Sequence, residues 1–271
     1  MHIVADIGGT KTRIAGSADL SKFGTPVILD TPQRYDDALI AIIAAAKKIA
    51  GGKIESLAAG VKGVLSDDRR TLITAPQNIL RDWKGRPLAA DLEASLSTPV
   101  FLENDTAIVG LGEAVFGAGK GAGIIAYITV STGVNGVRII DGHIDTGNAE
   151  IGGQYLHVGD RARSLEDMIS GTAIAEKYGV HPKEIDKDSP VWEELAEIAA
   201  VGIHNTILHW SPERVVLGGS MFNEIGISVP RVQFHIQRIM HKFPAVPEIV
   251  HSSLGDVGGL WGGMARLTQK N

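Results

Sequence analysis

The sequence predicts an α/β fold in two lobes with a cleft between them. Apolar segments of strand length alternate along the chain with longer segments of helical periodicity. At 271 residues the chain is too long for one small core and fits either one large domain or two lobes of ordinary size. Strand–turn–strand patterns at residues 2–16 and 124–140 open the two halves in the same way. A divergent duplication would explain this repetition and predicts two similar α/β lobes.

Composition and charge narrow the class of protein. Apolar residues make up 44% of the chain and charged residues 21%, which is typical of a globular protein with a buried core. The net charge of -5 and the lack of a basic run argue against a nucleic-acid partner. The absence of cysteine excludes disulfides and thiolate metal sites. No signal segment and no apolar run of about 18 residues is found, so we expect a cytoplasmic protein without a membrane partner.

The first hairpin has residue types that bind phosphate. A buried strand ends at Asp6, and the turn that follows contains Gly8, Gly9 and Thr10. Adjacent glycines let backbone N–H groups approach an anion, while Thr10 and Lys11 can reach phosphate oxygens. Asp6 can hold a hydrated Mg²⁺ ion. A plain Gly-Gly β-turn explains these residues equally well when they are considered alone.

The next segments supply core elements and one polar loop. Residues 36–50 have helical periodicity with a Gly51-Gly52 stop, and Leu57–Val61 is a buried strand. The loop that starts at Ala75 contains Asn78, whose amide could bind a ligand hydroxyl or satisfy its own backbone.

A carboxylate follows the third buried strand. Val100–Leu102 leads into Asn104 and Asp105, where a helix is predicted to begin, and glycines from Gly117 end that helix. Either residue could be the helix N-cap. A carboxylate at a helix N-terminus also stays ionised, so capping is compatible with a catalytic role.

The second half repeats the strand–turn pattern and adds helices. The expected elements are the strands Ile124–Val130 and Val137–Ile140 around a Ser131-Thr132-Gly133 turn, helices at 170–178 and 189–209, a strand Arg214–Leu217 entering Gly218-Gly219, and a glycine-spaced helix at Gly258–Gly263. The glycines predict close backbone approach, either of helix to helix or of protein to an adenine ring.

Together these segments resemble the ROK family of bacterial sugar kinases and related repressors, within the actin-like ATPase superfamily. The resemblance covers nearly the whole chain, and it depends on the order and spacing of all the motifs. They are Asp6-Ile7-Gly8-Gly9-Thr10-Lys11, the Ala75-Pro76 to Trp83 loop, Glu103-Asn104-Asp105, Gly110-x-Gly112-Glu113, Phe116-Gly117-Ala118-Gly119, Thr132-Gly133, Glu150-Ile151-Gly152, Leu165-Glu166 and Leu217-Gly218-Gly219.

The resemblance implies a two-lobed, ribonuclease H-like fold with ATP–Mg²⁺ between the lobes and a homodimer as the assembly. The implied lobes are residues 1–107 with about 257–271, and 108–256. It implies Asp105 as the general base. The implied sugar-binding residues are Asn78, Asn104, Asp105, Glu150 and Glu166. The nucleotide-binding residues are Asp6 (Mg²⁺ through water), Gly8, Gly9, Thr10, Lys11, Thr132, Gly133, Gly218 and Gly219.

One segment departs from the family pattern. Most members have a histidine after Glu-Ile-Gly and then a cysteine cluster that binds structural zinc, whereas here Gly153 takes the histidine position and residues 160–164 replace the cysteines. Loss of all four ligands predicts that zinc is absent and that other contacts hold the loop. The family histidine helps to orient the sugar-binding residues. Gln154 could replace it, because an amide both donates and accepts, or could be a surface residue.

Three functions follow, from different classes. The first is an ATP-dependent hexose kinase, glucokinase-like, with fructose and N-acetylmannosamine as alternative substrates. The second is a sugar-responsive repressor, against which the net charge of -5 and a hairpin starting at residue 2 both argue. The third is a non-catalytic sugar-binding protein, against which the retained phosphate-binding residues argue.

Overall fold

A computed structural model describes residues 1–75, 80–145, 150–157, 159, 161–243 and 245–269. The chain forms two compact units, Met1–Phe116 with Leu254–Asn271, and Gly117–Ser253. The lobe boundaries expected from the sequence stay a prediction. No helix in the described part of the chain is both long enough and apolar enough to span a bilayer.

Strands and helices alternate in the described residues, as expected for an α/β protein. The strands are β1 (His2–Ile7), β2 (Lys11–Ser17), β3 (Val27–Asp30), β4 (Ser56–Val61), β5 (Val64–Leu65), β6 (Leu72–Thr74), β7 (Val100–Asn104), β8 (Ile124–Val130), β9 (Val134–Ile140), β10 (His143–Ile144), β11 (Tyr155–His157), β12 (Arg163–Ser164), β13 (Arg214–Gly218) and β14 (Glu248–His251). The α-helices are α1 (Tyr35–Ala50), α2 (Leu88–Leu96), α3 (Asp105–Val115), α4 (Leu165–Ile169), α5 (Gly171–Tyr178), α6 (Val191–Trp210), α7 (Val229–Ile239) and α8 (Gly258–Thr268).

The first unit contains a five-stranded sheet in the order β3-β2-β1-β4-β7. β1 and β2 form the predicted antiparallel hairpin, and β4 and β7 run parallel to β1. The central strand, β1, is mostly apolar and does not alternate between apolar and polar residues, because helices cover both faces of the parallel part of the sheet. Ile3, Val4, Ala5 and Ile7 are fully buried in consequence.

The second unit contains a sheet of the same design, in the order β10-β9-β8-β13-β14. β8 and β9 form an antiparallel hairpin, while β13 and β14 run parallel to β8. Each sheet therefore begins with an antiparallel meander of three strands and adds two parallel strands on the other side of its first strand. The expectation of two similar α/β lobes is confirmed at the level of sheet topology. A duplication as the origin of this similarity stays a prediction.

The glycine-spaced C-terminal helix packs helix against helix. A Cβ atom at Gly262 would lie 1.7 Å from the carbonyl oxygen of Ile108 on α3, and one at Gly112 would lie 2.6 Å from the carbonyl oxygen of Gly258. Only glycine allows these backbones to come so close. α8 also covers β1, where a Cβ at Gly259 would lie 2.7 Å from Cγ of Asp6. Of the two explanations for these glycines, the helix–helix contact is therefore the one observed.

Candidate functional site

Three charged residues meet at one edge of the sheet in the first unit. The parallel strands β1, β4 and β7 end together there, with Ile7 beside Val61 and Val61 beside Asn104. Lys62 and Asp105 are the first residues after β4 and β7, and Asp6 is next to last in β1. In open α/β sheets, the carboxyl ends of the strands are where ligands bind.

The helix cap at this edge is Asn104, and Asp105 is the first helical residue. The Asn104 amide oxygen accepts hydrogen bonds from the backbone N–H groups of Thr106 and Ala107, at 2.9 and 3.1 Å. Its NH₂ group donates to the carbonyl of Gly63 at 2.9 Å. Asp105 keeps one carboxylate oxygen close to the helix, where Oδ1 accepts from the N–H of Thr106 at 2.9 Å. Its other oxygen, Oδ2, lies 3.6 Å from Nζ of Lys62.

Asp6 is a carboxylate in an unfavourable electrostatic environment. Burial raises its pKa to about 6, the nearby Asp105 carboxylate adds to the rise, and Arg13 and Lys62 oppose it. A divalent cation at this carboxylate would favour its ionised form. Mg²⁺ in phosphoryl-transfer sites is usually held by one or two carboxylates plus substrate phosphates, so this carboxylate fits the predicted ion. No group of three or more His, Cys, Asp or Glu suited to a metal occurs among the described residues.

In the turn after Asp6 the backbone of Gly8 lies close to the backbone of Lys11, as expected for the glycines in this turn. A Cβ at Gly8 would lie 2.9 Å from the carbonyl oxygen of Lys11, to which Gly8 N–H donates. The side-chain NH₂ group of Gln33 donates a hydrogen bond to the carbonyl of Gly9 at 3.0 Å. Thr10 and Lys11 are exposed, and the Lys11 ammonium pairs with Asp30. Such an exposed pair contributes little stability.

In the second unit, Glu166 lies against the turn between β8 and β9. Its Oε2 accepts a hydrogen bond from the N–H of Val134 at 2.7 Å, and a Cβ at Gly133 would lie 2.8 Å from the same oxygen. Ser131 N–H closes the turn on the carbonyl of Gly133 at 2.8 Å. The structure therefore brings a predicted sugar-binding residue beside a predicted phosphate turn.

A cavity of 430 Å³ opens next to this turn. Thr132 and Thr172 contribute hydroxyl groups to its wall, and Glu176 and His181 contribute titratable groups; apolar wall residues include Met221. Its volume is within the range of small-ligand sites. Of these residues, only Thr132 was predicted as a site residue from the sequence, since the others come from segments far apart in the chain. The only signal was Ser170-Gly171-Thr172 at a helix start, where Ser170 caps α5.

Gly218 and Gly219 are explained by packing within the second unit. A Cβ at Gly218 would lie 2.6 Å from the Tyr127 hydroxyl. Gly219 has a φ of 90°, and a Cβ there would lie 2.3 Å from the carbonyl of Val130. The two residues that follow, Ser220 and Met221, line the cavity. The glycine turn thus borders the cavity.

Gln154 is a half-buried residue with a structural role, so a plain surface position is excluded. Its NH₂ group donates to the carbonyls of Ile151 at 3.0 Å and Gly202 at 3.3 Å. Its Oε1 accepts from the Asn205 amide at 3.1 Å. The side chain thus ties the segment after Glu150 to α6. Glu150 itself is exposed.

Hydrogen bonds hold the loop that replaces the family's cysteine cluster. β11 and β12 pair as a short antiparallel hairpin, and Leu165 N–H donates to the carbonyl of Gln154 at 2.8 Å. Ser164 and Asp167 form a capping box at the start of α4, at 2.9 and 3.2 Å. For the described residues of this loop, 161–164, the prediction that other contacts hold it is confirmed. Asn78, the remaining predicted sugar ligand, lies outside the described residues.

Comparison with known proteins identifies ROK family proteins and sugar kinases as similar to this chain. The sequence model of the ROK family matches residues 2–271. The N-acetyl-D-glucosamine kinase of Escherichia fergusonii is 26% identical over 300 residues, which span 97% of each chain. A ROK family glucokinase from Streptomyces griseus, solved with glucose and AMPPNP, is 25% identical with a TM-score of 0.80 over 98% of each chain. A ROK family transcriptional regulator, homologous to the Escherichia coli Mlc protein, shares the fold (TM-score 0.83, 18% identity, 97% of this chain and 76% of that one).

Proposed function

Because the chain belongs to the ROK family, we propose that it is an ATP-dependent sugar kinase that phosphorylates a hexose hydroxyl in a glucokinase-like reaction. The observation that carries the proposal is the Asp105 carboxylate at the sheet edge, with Oδ1 held by the N–H of Thr106 and Oδ2 turned to a lysine. This arrangement fixes the carboxylate in position and leaves one oxygen for a substrate hydroxyl. The actin-like ATPase fold of its relatives is consistent with this chemistry.

Asp105 is the proposed general base. Its carboxylate accepts the proton of the attacking hydroxyl as the bond from that oxygen to phosphorus forms. ATP–Mg²⁺ supplies the phosphoryl group and neutralises the charge of the phosphates. Because the transition state of phosphoryl transfer is loose, positioning matters more than base strength, and an ordinary carboxylate is sufficient.

The other residues have binding roles in this proposal. Asn104 and Glu150 bind further sugar hydroxyls, as do Glu166 and Asn78. Gln154 supports this set through its contacts with Gly202 and Asn205 rather than by direct binding. Asp6 would hold Mg²⁺ through water.

The nucleotide is proposed to use the cavity of the second unit for its nucleoside. The cavity's hydroxyl groups suit a ribose, and its apolar wall at Met221 suits a base. The glycine turns at Gly8-Gly9 and Thr132-Gly133 are the proposed phosphate contacts, with Thr10 and Lys11 beside the first. A kinase of this kind draws on the cytoplasmic ATP pool, which is the location we propose.

The central test is a sugar panel with ATP and Mg²⁺, scored by ADP release. Glucose, fructose, mannose, N-acetylglucosamine and N-acetylmannosamine cover the classes that the relatives suggest. We expect one or more of these to be phosphorylated. If the protein binds one of them and phosphorylates none, the kinase proposal is wrong and a non-catalytic sugar-binding protein replaces it. Sugar-dependent retention of DNA in a gel-shift experiment would instead indicate a regulator.

The role of Asp105 is tested with Asp105→Asn. The amide keeps the shape and the Thr106 contact but cannot accept the proton, so we expect turnover to fall by on the order of 10²–10⁴ while sugar binding persists. Asp188→Asn, at an exposed loop position, is the control for loss of one carboxylate. Near-full activity of Asp105→Asn in the ADP-release assay would exclude Asp105 as the base.

A further inference from the structure

Lys62 is a cation at the proposed site that was not among the site residues expected from the sequence. Its backbone N–H donates to the carbonyl of Ile7 at 3.0 Å, which extends the pairing of β4 with β1 by one residue. In the register of the sheet, Val61 stands between Ile7 and Asn104. Lys62 therefore follows the sheet edge between the Gly8 turn on one side and Asp105 on the other.

The contact between Lys62 and Asp105 is an ion pair without a close hydrogen bond. Nζ of Lys62 lies 3.6 Å from Oδ2 of Asp105, beyond the usual length of a charged N–H···O bond. An ammonium group has three hydrogens and no acceptor, so one carboxylate does not satisfy it. The two side chains are 32% and 26% exposed, which leaves room for a ligand to reach both.

Stability alone is a weak reason for a lysine at this position. Ion pairs of partly exposed side chains contribute little to stability. A lysine here becomes favourable when an additional negative charge enters the same space during the reaction.

We propose that Lys62 is a catalytic residue whose ammonium group moves from Asp105 to the phosphoryl group that is being transferred. This inference rests on the proposed kinase activity. The sugar hydroxyl oxygen forms a bond to the γ-phosphorus, its proton passes to the Asp105 carboxylate, and the bond from phosphorus to the bridging oxygen breaks with its electron pair leaving on ADP. Lys62 stays protonated throughout and stabilises the charge on the oxygens of the transferred group. Neutralisation of Asp105 by the proton makes the release of Lys62 from it favourable.

The test compares Lys62→Met and Lys62→Arg with the unmodified protein in steady-state kinetics on a sugar that it phosphorylates. Fixed cations aimed at developing charge contribute about 10²–10³-fold in turnover, so we expect kcat of Lys62→Met to fall by that factor. The KM for sugar should change less than about threefold, because the ammonium acts in the transition state. Lys62→Arg keeps the charge and should retain more turnover than Lys62→Met. Lys47→Met removes an exposed lysine of α1 and is the matched control.

Two further measurements separate the possible outcomes. Sugar binding without ATP, followed by tryptophan fluorescence, and the thermal midpoint should be close to those of the unmodified protein in both Lys62 variants. If the unmodified protein phosphorylates no sugar, the proposed function fails and this inference fails with it. If the unmodified protein is active and Lys62→Met keeps its kcat, only the role of Lys62 is wrong. Equal losses in both variants with a lowered thermal midpoint would assign Lys62 a structural role instead.

Discussion

Asn104 and Asp105 are adjacent in the chain, yet their side chains meet different parts of the protein. Asn104 has extended backbone angles, φ -60° and ψ 146°, so its short amide reaches back over the first helical N–H groups. Asp105 already has helical geometry and projects its Oδ2 toward Lys62. The sequence predicted a cap and a carboxylate at this pair without assigning the cap. The backbone angles at the end of β7 make that assignment.

Gln154, a predicted sugar-binding residue, is hydrogen-bonded to α6, and its role in sugar binding stays a prediction. An amide after Glu-Ile-Gly-Gly could bind a sugar as the sequence suggested, but α6 supplies Gly202 and Asn205 as nearer partners. These partners are 48 and 51 residues away in the sequence, so no local pattern could indicate them.

A double-mutant cycle tests this role. Gln154→Ala and Asn205→Ala should each lower the free energy of unfolding by about 1 kcal/mol, the usual contribution of a hydrogen bond, and the double variant by less than the sum. Denaturant unfolding gives the values, and Gln237→Ala at an exposed position of α7 is the control. A Gln154→Ala protein of unchanged stability with a raised sugar KM would show direct binding instead.

At the scale of elements, α3 and α8 are held by backbone contact. The glycine spacing in 258–263 predicted a close approach but could not name what approaches. The structure supplies α3, because Gly112 and Gly262 stand opposite each other across the helix pair. The α3–α8 pair also contacts the site of Asp6 and Asp105, since α3 begins at Asp105 and Gly259 of α8 packs on Asp6. Its packing therefore sets the position of both carboxylates.

Gly262→Ala tests this contact. The added methyl would lie 1.7 Å from the Ile108 carbonyl, so the helices must separate. We expect a loss of about 3 kcal/mol, as for overpacking of a close contact, and a thermal midpoint lower by on the order of 10 °C. Gly52→Ala has no atom within 4 Å of the new Cβ and is the control, expected to be neutral or slightly stabilising. Equal thermal midpoints for both variants in calorimetry would contradict the close contact.

At the scale of the whole molecule, two sheets share one strand order. The hairpins and the buried strands were predicted from alternating apolar segments and glycine turns, which are local signals. The order in which β4, β7, β13 and β14 join their sheets was not predicted from those signals, because parallel pairing joins segments that are far apart in sequence. The resemblance to the actin-like ATPase superfamily predicted two α/β lobes, but the strand order of each sheet comes from the structure alone.

The absence of zinc is a prediction for the whole protein. The segment at 161–164 is held by the Ser164–Asp167 capping box and the β11–β12 pair. A structural zinc ion would contribute to the free energy of folding, so its removal would lower the thermal midpoint. Because we predict that no zinc is bound, EDTA should leave the thermal midpoint unchanged, and elemental analysis should find less than about 0.1 zinc per chain. One tightly bound zinc per chain would contradict this. The expected homodimer also stays a prediction, open to sedimentation analysis.

The sequence by itself determined the two hairpins, the strands β4, β7 and β13, the helices α1, α3, α5, α6 and α8, the two glycine turns, the carboxylates at Asp6 and Asp105, and the membership of the ROK family. These depend on residue types at short spacing or on the order of motifs along the chain. The tertiary structure alone brought Lys62 to Asp105, placed Glu166 against Gly133 and joined Gln154 to Asn205. Each of these contacts joins residues that lie 32 or more positions apart, and such contacts are set by sheet register and helix packing.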